Sequence, residues 1–185
     1  CLFLHHLKRR AWLLTLGLDE GKHGLVTTLK VWDMEKLQLH KQQSQQQAEG
    51  ALVPPPSCLR SIKVFTESKK SKAAPVGSAS QDPQVHSFDV LEEESAQVLT
   101  SPLVCALGLD DGNVQLHRGD FVRSSRQNVT KYAFGAEEGA VSAVKLHLDG
   151  EGLLNLFATT LEGTRNVQVD RNSQISLLDE HGAQR

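Results

Sequence analysis

The sequence predicts an all-β fold, a partial β-propeller built from about three four-stranded antiparallel blades. Two observations support this prediction. An apolar strand, a short acidic or glycine-containing turn and a second β-rich strand recur as a hairpin three times along the chain. Further β-rich segments flank each hairpin, so that every repeat supplies four strands, the number in a propeller blade.

The first hairpin combines Trp12–Gly17, a turn region over Leu18–Gly24, and Leu29–Asp33. The first of these strands is nearly continuous in apolar residues, as expected for a strand that is covered on both faces. Flanking strands are predicted at Cys1–Leu4 and Cys58–Thr66. These segments together form the first predicted blade.

Trp32 and Asp33 end this hairpin, at the position that the Trp-Asp dipeptide occupies in WD repeats. The blade is therefore WD-repeat-like, although the other two hairpins lack the dipeptide. We predict a structural role for both residues, as a tryptophan in the core and a carboxylate that caps a turn.

The second hairpin combines Leu103–Gly108, Asp110–Asn113 and Val114–His117, with flanking strands at Val85–Leu91 and Val129–Phe134. The Asp-Gly pair in its turn supplies the positive φ that a tight antiparallel hairpin requires. The second strand alternates between apolar and polar residues, which predicts one buried face and one solvated face. The alternating residues are Val114, Gln115, Leu116 and His117.

The third hairpin combines Leu154–Thr160, a turn at Glu162-Gly163, and Asn166–Val169. Its flanking strands are predicted at Ala140–His147 and Ile175–Leu178. The second strand alternates in the same way as that of the second hairpin, so a one-sided solvated face is predicted here as well.

Two stretches interrupt the repeats. A Gln/Pro-rich insertion covers residues 41–57 inside blade one (about 1–66), and a Ser/Lys-rich insertion covers residues 67–83. Their compositions bury too little apolar surface to offset the entropy of ordering, so both are predicted to be surface loops. Blade two is predicted at about 85–134 and blade three at about 140–182. Because three blades do not close a ring, we expect a longer protein to supply more blades.

Charge and aromatic content narrow the expected classes of partner, and the cysteine content indicates the compartment. The formal net charge is −2 and aromatic residues make up 5% of the chain, so neither nucleic acid nor an anionic lipid surface is an expected partner. The three cysteines, Cys1, Cys58 and Cys105, form no C-x-x-C zinc motif and no disulfide framework, which favours a reducing compartment.

The sequence predicts no catalytic, cofactor-binding or metal-binding residue. It contains no nucleophile elbow, glycine-rich phosphate loop or zinc-protease helix. His5 and His6 are adjacent on a predicted strand and point to opposite faces, which is poor geometry for one metal ion. The Asn128-Val129-Thr130 sequon is interpreted as incidental. Clustered acidic residues fall in turns or loops, where carboxylates are usually solvated; they are Glu92, Glu93, Glu94, Asp110 and Asp111.

Several segments carry a resemblance to a known family. Leu29–Lys36 ends the first hairpin, and Ala106–Asp120 runs from a glycine-containing strand through an Asp-Gly turn to a strand that ends in Arg, Gly and Asp. Both resemble the amino-terminal propeller of the class C vacuolar protein sorting subunit eleven family, shared by the HOPS and CORVET endosomal tethering complexes. Leu156–Val169 and Leu178–Gly182 are similar in kind.

This resemblance implies a non-catalytic scaffold that acts in vesicle-mediated protein transport and membrane fusion. The implied partners are the other subunits of a multi-protein tethering complex, with no nucleic acid, small-molecule substrate or cofactor. The implied location is cytoplasmic and peripheral, on the late endosome and the vacuole or lysosome membrane. Family members continue into an α-helical solenoid and a zinc-binding RING domain, which this sequence does not contain.

The residues alone leave two alternative functions open. One is a WD-repeat adaptor of another pathway, such as ligase substrate recognition, since a fold does not determine a function. The other is a phosphoinositide-binding propeller, whose Phe-Arg-Arg-Gly signature is approached by Leu116-His117-Arg118-Gly119, with one arginine missing from the phosphate contact. An enzyme built on a propeller is disfavoured because the catalytic motifs are missing.

Overall fold

A computed structural model describes most of the predicted strands. The described residues are 3–7, 11–21, 24–36, 38–39, 42, 58–65, 83–92, 103–122, 128–133 and 139–169, together with the backbone of 175–177. The two predicted insertions lie outside this part of the chain, apart from Gln42 and Pro83. The chain forms two compact units, Cys1–Asp82 and Pro83–Arg185.

The first unit contains one four-stranded antiparallel sheet in the order β1-β2-β3-β4. Its strands are β1 (Phe3–Leu7), β2 (Trp12–Gly21), β3 (Gly24–Asp33) and β4 (Cys58–Lys63). Alternate residues of β2 and β3 form a buried apolar face, because residues two apart on a strand share a face. The buried residues of this face are Leu14, Leu16, Leu29 and Val31.

The predicted turn over Leu18–Gly24 is wrong, since β2 and β3 pair through to Gly21 and Gly24. The acidic sequence suggested a turn, but Asp19 finds partners across the sheet. Its carboxylate accepts hydrogen bonds from Thr28 Oγ1 and Lys30 Nζ, both at 2.7 Å. These contacts keep an acidic residue within a strand.

The Trp-Asp dipeptide lies at the end of β3, where each of its two side chains has a hydrogen-bond partner. Asp33 Oδ1 accepts hydrogen bonds from the backbone N–H groups of Glu35 (3.0 Å) and Lys36 (3.2 Å), and so caps the helical turn at residues 34–36. This confirms a capping carboxylate, although it caps a helix. Trp32 is only half-buried, and its Nε1 donates to Thr15 Oγ1 at 2.9 Å. The prediction that Trp32 is a core residue is therefore wrong, because its indole N–H bonds to a hydroxyl group on the partly exposed face of the sheet.

The second sheet has the order β5-β6-β7-β8 and is antiparallel throughout. Its strands are β5 (Val85–Glu92), β6 (Leu103–Leu109), β7 (Asn113–Gly119) and β8 (Asn128–Ala133). Every residue of β6 is buried, which confirms the prediction of a strand covered on both faces. Gly112 has φ +77° in the connecting turn, as the Asp-Gly pair predicted.

The predicted solvated face of β7 is wrong. Gln115 and His117 are each 2% exposed, so both faces of this strand are buried. The alternation of apolar and polar residues indicates which residues share a face of the strand, but it does not indicate whether the polar face is covered by another part of the chain. In the third sheet, by contrast, Gln168 is half-buried between the buried Val167 and Val169.

The third sheet has the order β12-β11-β10-β9 and is also antiparallel. Its strands are β9 (Ala143–Leu148), β10 (Leu154–Thr160), β11 (Gly163–Val169) and β12 (Ile175–Leu177). The turn between β9 and β10 is closed by Asp149, whose Oδ1 accepts the N–H groups of Glu151 (3.0 Å) and Leu153 (2.8 Å). These hydrogen bonds lower the pKa of Asp149 below its usual value.

The second and third sheets pack face to face through one apolar core. The second sheet contributes residues of β6 and β7, and the third contributes residues of β9, β10 and β11 together with Val141 of the preceding segment. The members are Val104, Ala106, Val114, Leu116, Val141, Val144, Leu146, Leu154, Leu156, Ala158, Val167 and Val169. Three four-stranded antiparallel sheets, two of them stacked in this way, confirm the all-β partial propeller.

Candidate functional site

The junction between the second and third sheets has a polar framework beside its apolar core. The segment before β9 is held from both sides: Val141 N donates to Leu109 O, and Ser142 N donates to Thr159 O, each at 2.9 Å. The buried Ser87 Oγ donates to Val141 O, also at 2.9 Å. Backbone groups of this connection are therefore paired with both sheets.

Gly108 of β6 lies against Val141 of this segment. A Cβ atom at this position would clash with Ser87 Oγ and would lie 2.8 Å from Val141 O. Real Cβ atoms do not approach a backbone oxygen so closely. The glycine is therefore required by the contact between the sheets, and its small size lets the segment pack on β6.

Asp89 joins the edge strands of the two sheets. It lies on β5, is 6% exposed, and accepts the backbone N–H of Leu146 on β9 through Oδ2 at 2.8 Å. Its Oδ1 is 3.1 Å from Nζ of Lys145, whose side chain is 71% exposed. The carboxylate thus satisfies a main-chain donor on the edge of β9, and the direction of this bond fixes the position of one sheet against the other.

His117 and Gln115 form a buried polar pair on β7, with 3.0 Å between Gln115 Nε2 and His117 Nε2. The amide nitrogen is only a donor, so His117 Nε2 accepts and its proton resides on Nδ1. Burial lowers the pKa of His117 to about 4. Protonation would place a positive charge on a side chain that is 2% exposed, where it loses most of its solvation by water.

Acidification should therefore destabilise the second sheet. The pKa of His117 is lower in the folded chain than the ordinary value of 6.5, so the unfolded chain binds the proton first as the pH falls. The contribution of neutral His117 to the free energy of unfolding is fully present above about pH 6.5 and is lost progressively towards pH 4. About 2 kcal/mol of it is lost between pH 7 and pH 5.

Pulse proteolysis in urea across this pH range measures the effect. His117→Gln should flatten the pH dependence of the free energy of unfolding, whereas His147→Gln, which changes an exposed histidine on β9, should leave it in place. An unchanged pH profile in His117→Gln would contradict the assignment.

The other candidate groups lie in structural positions. His5 and His6 are neighbours on β1, and Asp110 and Asp111 hold the turn before β7 by accepting the N–H groups of Gln84 (3.0 Å) and Asn113 (3.1 Å). Within the described ranges, no group of three or more His, Cys, Asp and Glu side chains could hold a metal ion. The carboxylates of this turn therefore shape the backbone.

The remaining chemical motifs are part of the sheets. Leu116 and His117 are buried in β7, which removes half of the Leu-His-Arg-Gly run from contact with a lipid headgroup. Asn128 of the sequon lies on β8 and is exposed. Burial, assisted by the negative charge of Asp89, raises the pKa of the Cys105 thiol, so this cysteine is a poor nucleophile. No helix in the described part of the chain is long and apolar enough to cross a lipid bilayer.

Sequence reasoning missed Ser87 and Asp89, the two side chains that join the sheets. A signal was present, because both are polar residues beside the apolar Phe88 and Val90, and as residues two apart they share one face of the strand. A strand residue of this kind either faces solvent or finds a buried partner. The partners lie more than 50 residues away in sequence, at Val141 and Leu146.

Stacked four-stranded antiparallel sheets joined through apolar faces define the chain as part of a β-propeller. The comparisons identify the family. The family described as "VPS11-like, N-terminal beta-propeller" matches residues 1–185, and the chain belongs to it. This confirms the resemblance found in the sequence.

A curated relative agrees with this assignment. The chain is 31% identical over 166 residues to the "Vacuolar protein-sorting-associated protein 11 homolog" of Arabidopsis thaliana. The match covers 87% of this chain and 14% of the relative, so the chain spans about one seventh of the relative's length.

Proposed function

We propose that this chain is a non-catalytic docking domain in a subunit of a multi-protein complex that tethers membranes before fusion, at the endosome and the vacuole or lysosome. Membership of the family over the whole chain carries the proposal. The name of the Arabidopsis relative, which refers to vacuolar protein sorting, supports the same pathway. The subunit would act on the cytoplasmic side as a peripheral protein, with other subunits of the complex as its partners.

The contacts between the second and third sheets favour a role as a rigid scaffold. A docking surface loses less entropy on binding when it is rigid beforehand. Here the apolar core is supplemented by directional bonds from Ser87 and Asp89, which restrict sliding of one sheet on the other. We also propose that the blades cover about 1–66, 85–134 and 140–182, ranges that contain the strands of the three sheets.

Affinity purification of the full-length protein tests the function. The tagged protein should co-purify with other subunits of a vacuolar or endosomal tethering complex, and their recovery should fall severalfold for Gly108→Ala, whose added Cβ would clash with Ser87 Oγ and lie 2.8 Å from Val141 O. Gly150→Ala, where an added Cβ meets no atom within 4 Å, is the matched control. Recovery of ligase or chromatin subunits in place of trafficking subunits would overturn the proposal in favour of an adaptor of another pathway.

A further inference from the structure

We draw no further inference here: the strongest candidate, the polar face of the third sheet on which Lys145, Phe157 and Asn166 lie side by side across β9, β10 and β11, carries none, because nothing in the structure shows what covers it.

Discussion

Replacing Gly108 with alanine is expected to lower the free energy of unfolding of the second and third sheets by about 4 kcal/mol. The added Cβ would lie 2.8 Å from both the oxygen and a side-chain methyl of Val141, and it would clash with Ser87 Oγ. The serine could rotate away only by losing its hydrogen bond to Val141 O. The backbone oxygen has no such freedom, so the segment before β9 must move away from β6.

The readout for Gly108→Ala is pulse proteolysis in urea of the protein that contains this chain, followed by mass spectrometry of peptides from both sheets. Gly150→Ala is the matched control, because it adds the same methyl group where no atom lies within 4 Å. It should be neutral or slightly stabilising, as expected when a glycine of ordinary conformation is replaced. A loss of less than about 1 kcal/mol in Gly108→Ala would show that the segment adapts without cost.

The hairpins could be predicted from sequence because their signals are local. In the second hairpin, a continuous apolar strand, an Asp-Gly turn and an alternating strand lie within 15 residues, from Leu103 to His117. The same local reasoning failed at Asp19, where a carboxylate suggested a turn. Its partners, Thr28 and Lys30, lie across the strand pair, so the error came from a contact that the order of residues does not show.

The buried polar side chains of the second sheet and its contact with Val141 could not be predicted, because the burial of a strand face depends on what packs against it. Gln115 and His117 alternate with apolar residues, as a surface strand would, yet both are buried. In the sequence, Gly108 is an ordinary strand glycine, because its contact with Val141 is formed only when the chain is folded. The fold class therefore follows from periodicity, whereas the residues that set the position of one blade against the next follow only from the assembled sheets.

These contacts differ in what they contribute. Burial of the apolar cluster is non-directional and would tolerate sliding of one sheet on the other. The bonds made by Ser87 and Asp89 have defined geometry and end on backbone atoms of the segment before β9 and of β9 itself. In a scaffold whose surface is formed by neighbouring blades, such bonds fix the relative positions of the side chains that a partner would contact.

Asp89→Ala is accordingly expected to cost about 3 kcal/mol, because it leaves the buried N–H of Leu146 without its acceptor and opens a space at the junction. The ion pair contributes little to this cost, since the side chain of Lys145 is 71% exposed and its charge is well solvated. Lys145→Ala should therefore change the free energy of unfolding by less than about 1 kcal/mol. The buried hydrogen bond is the dominant interaction.

Asp89→Asn separates the two contributions within one side chain. Its amide oxygen can still accept the Leu146 N–H while the negative charge is lost, so the expected cost is about 1 kcal/mol. Hydrogen exchange of the Leu146 amide, measured beside pulse proteolysis, should accelerate strongly in Asp89→Ala and only modestly in Asp89→Asn. Equal losses in Asp89→Ala and Lys145→Ala, with unchanged exchange at Leu146, would instead assign the contribution of Asp89 to its charge, and the directional bond between the blades would not be what holds them in position.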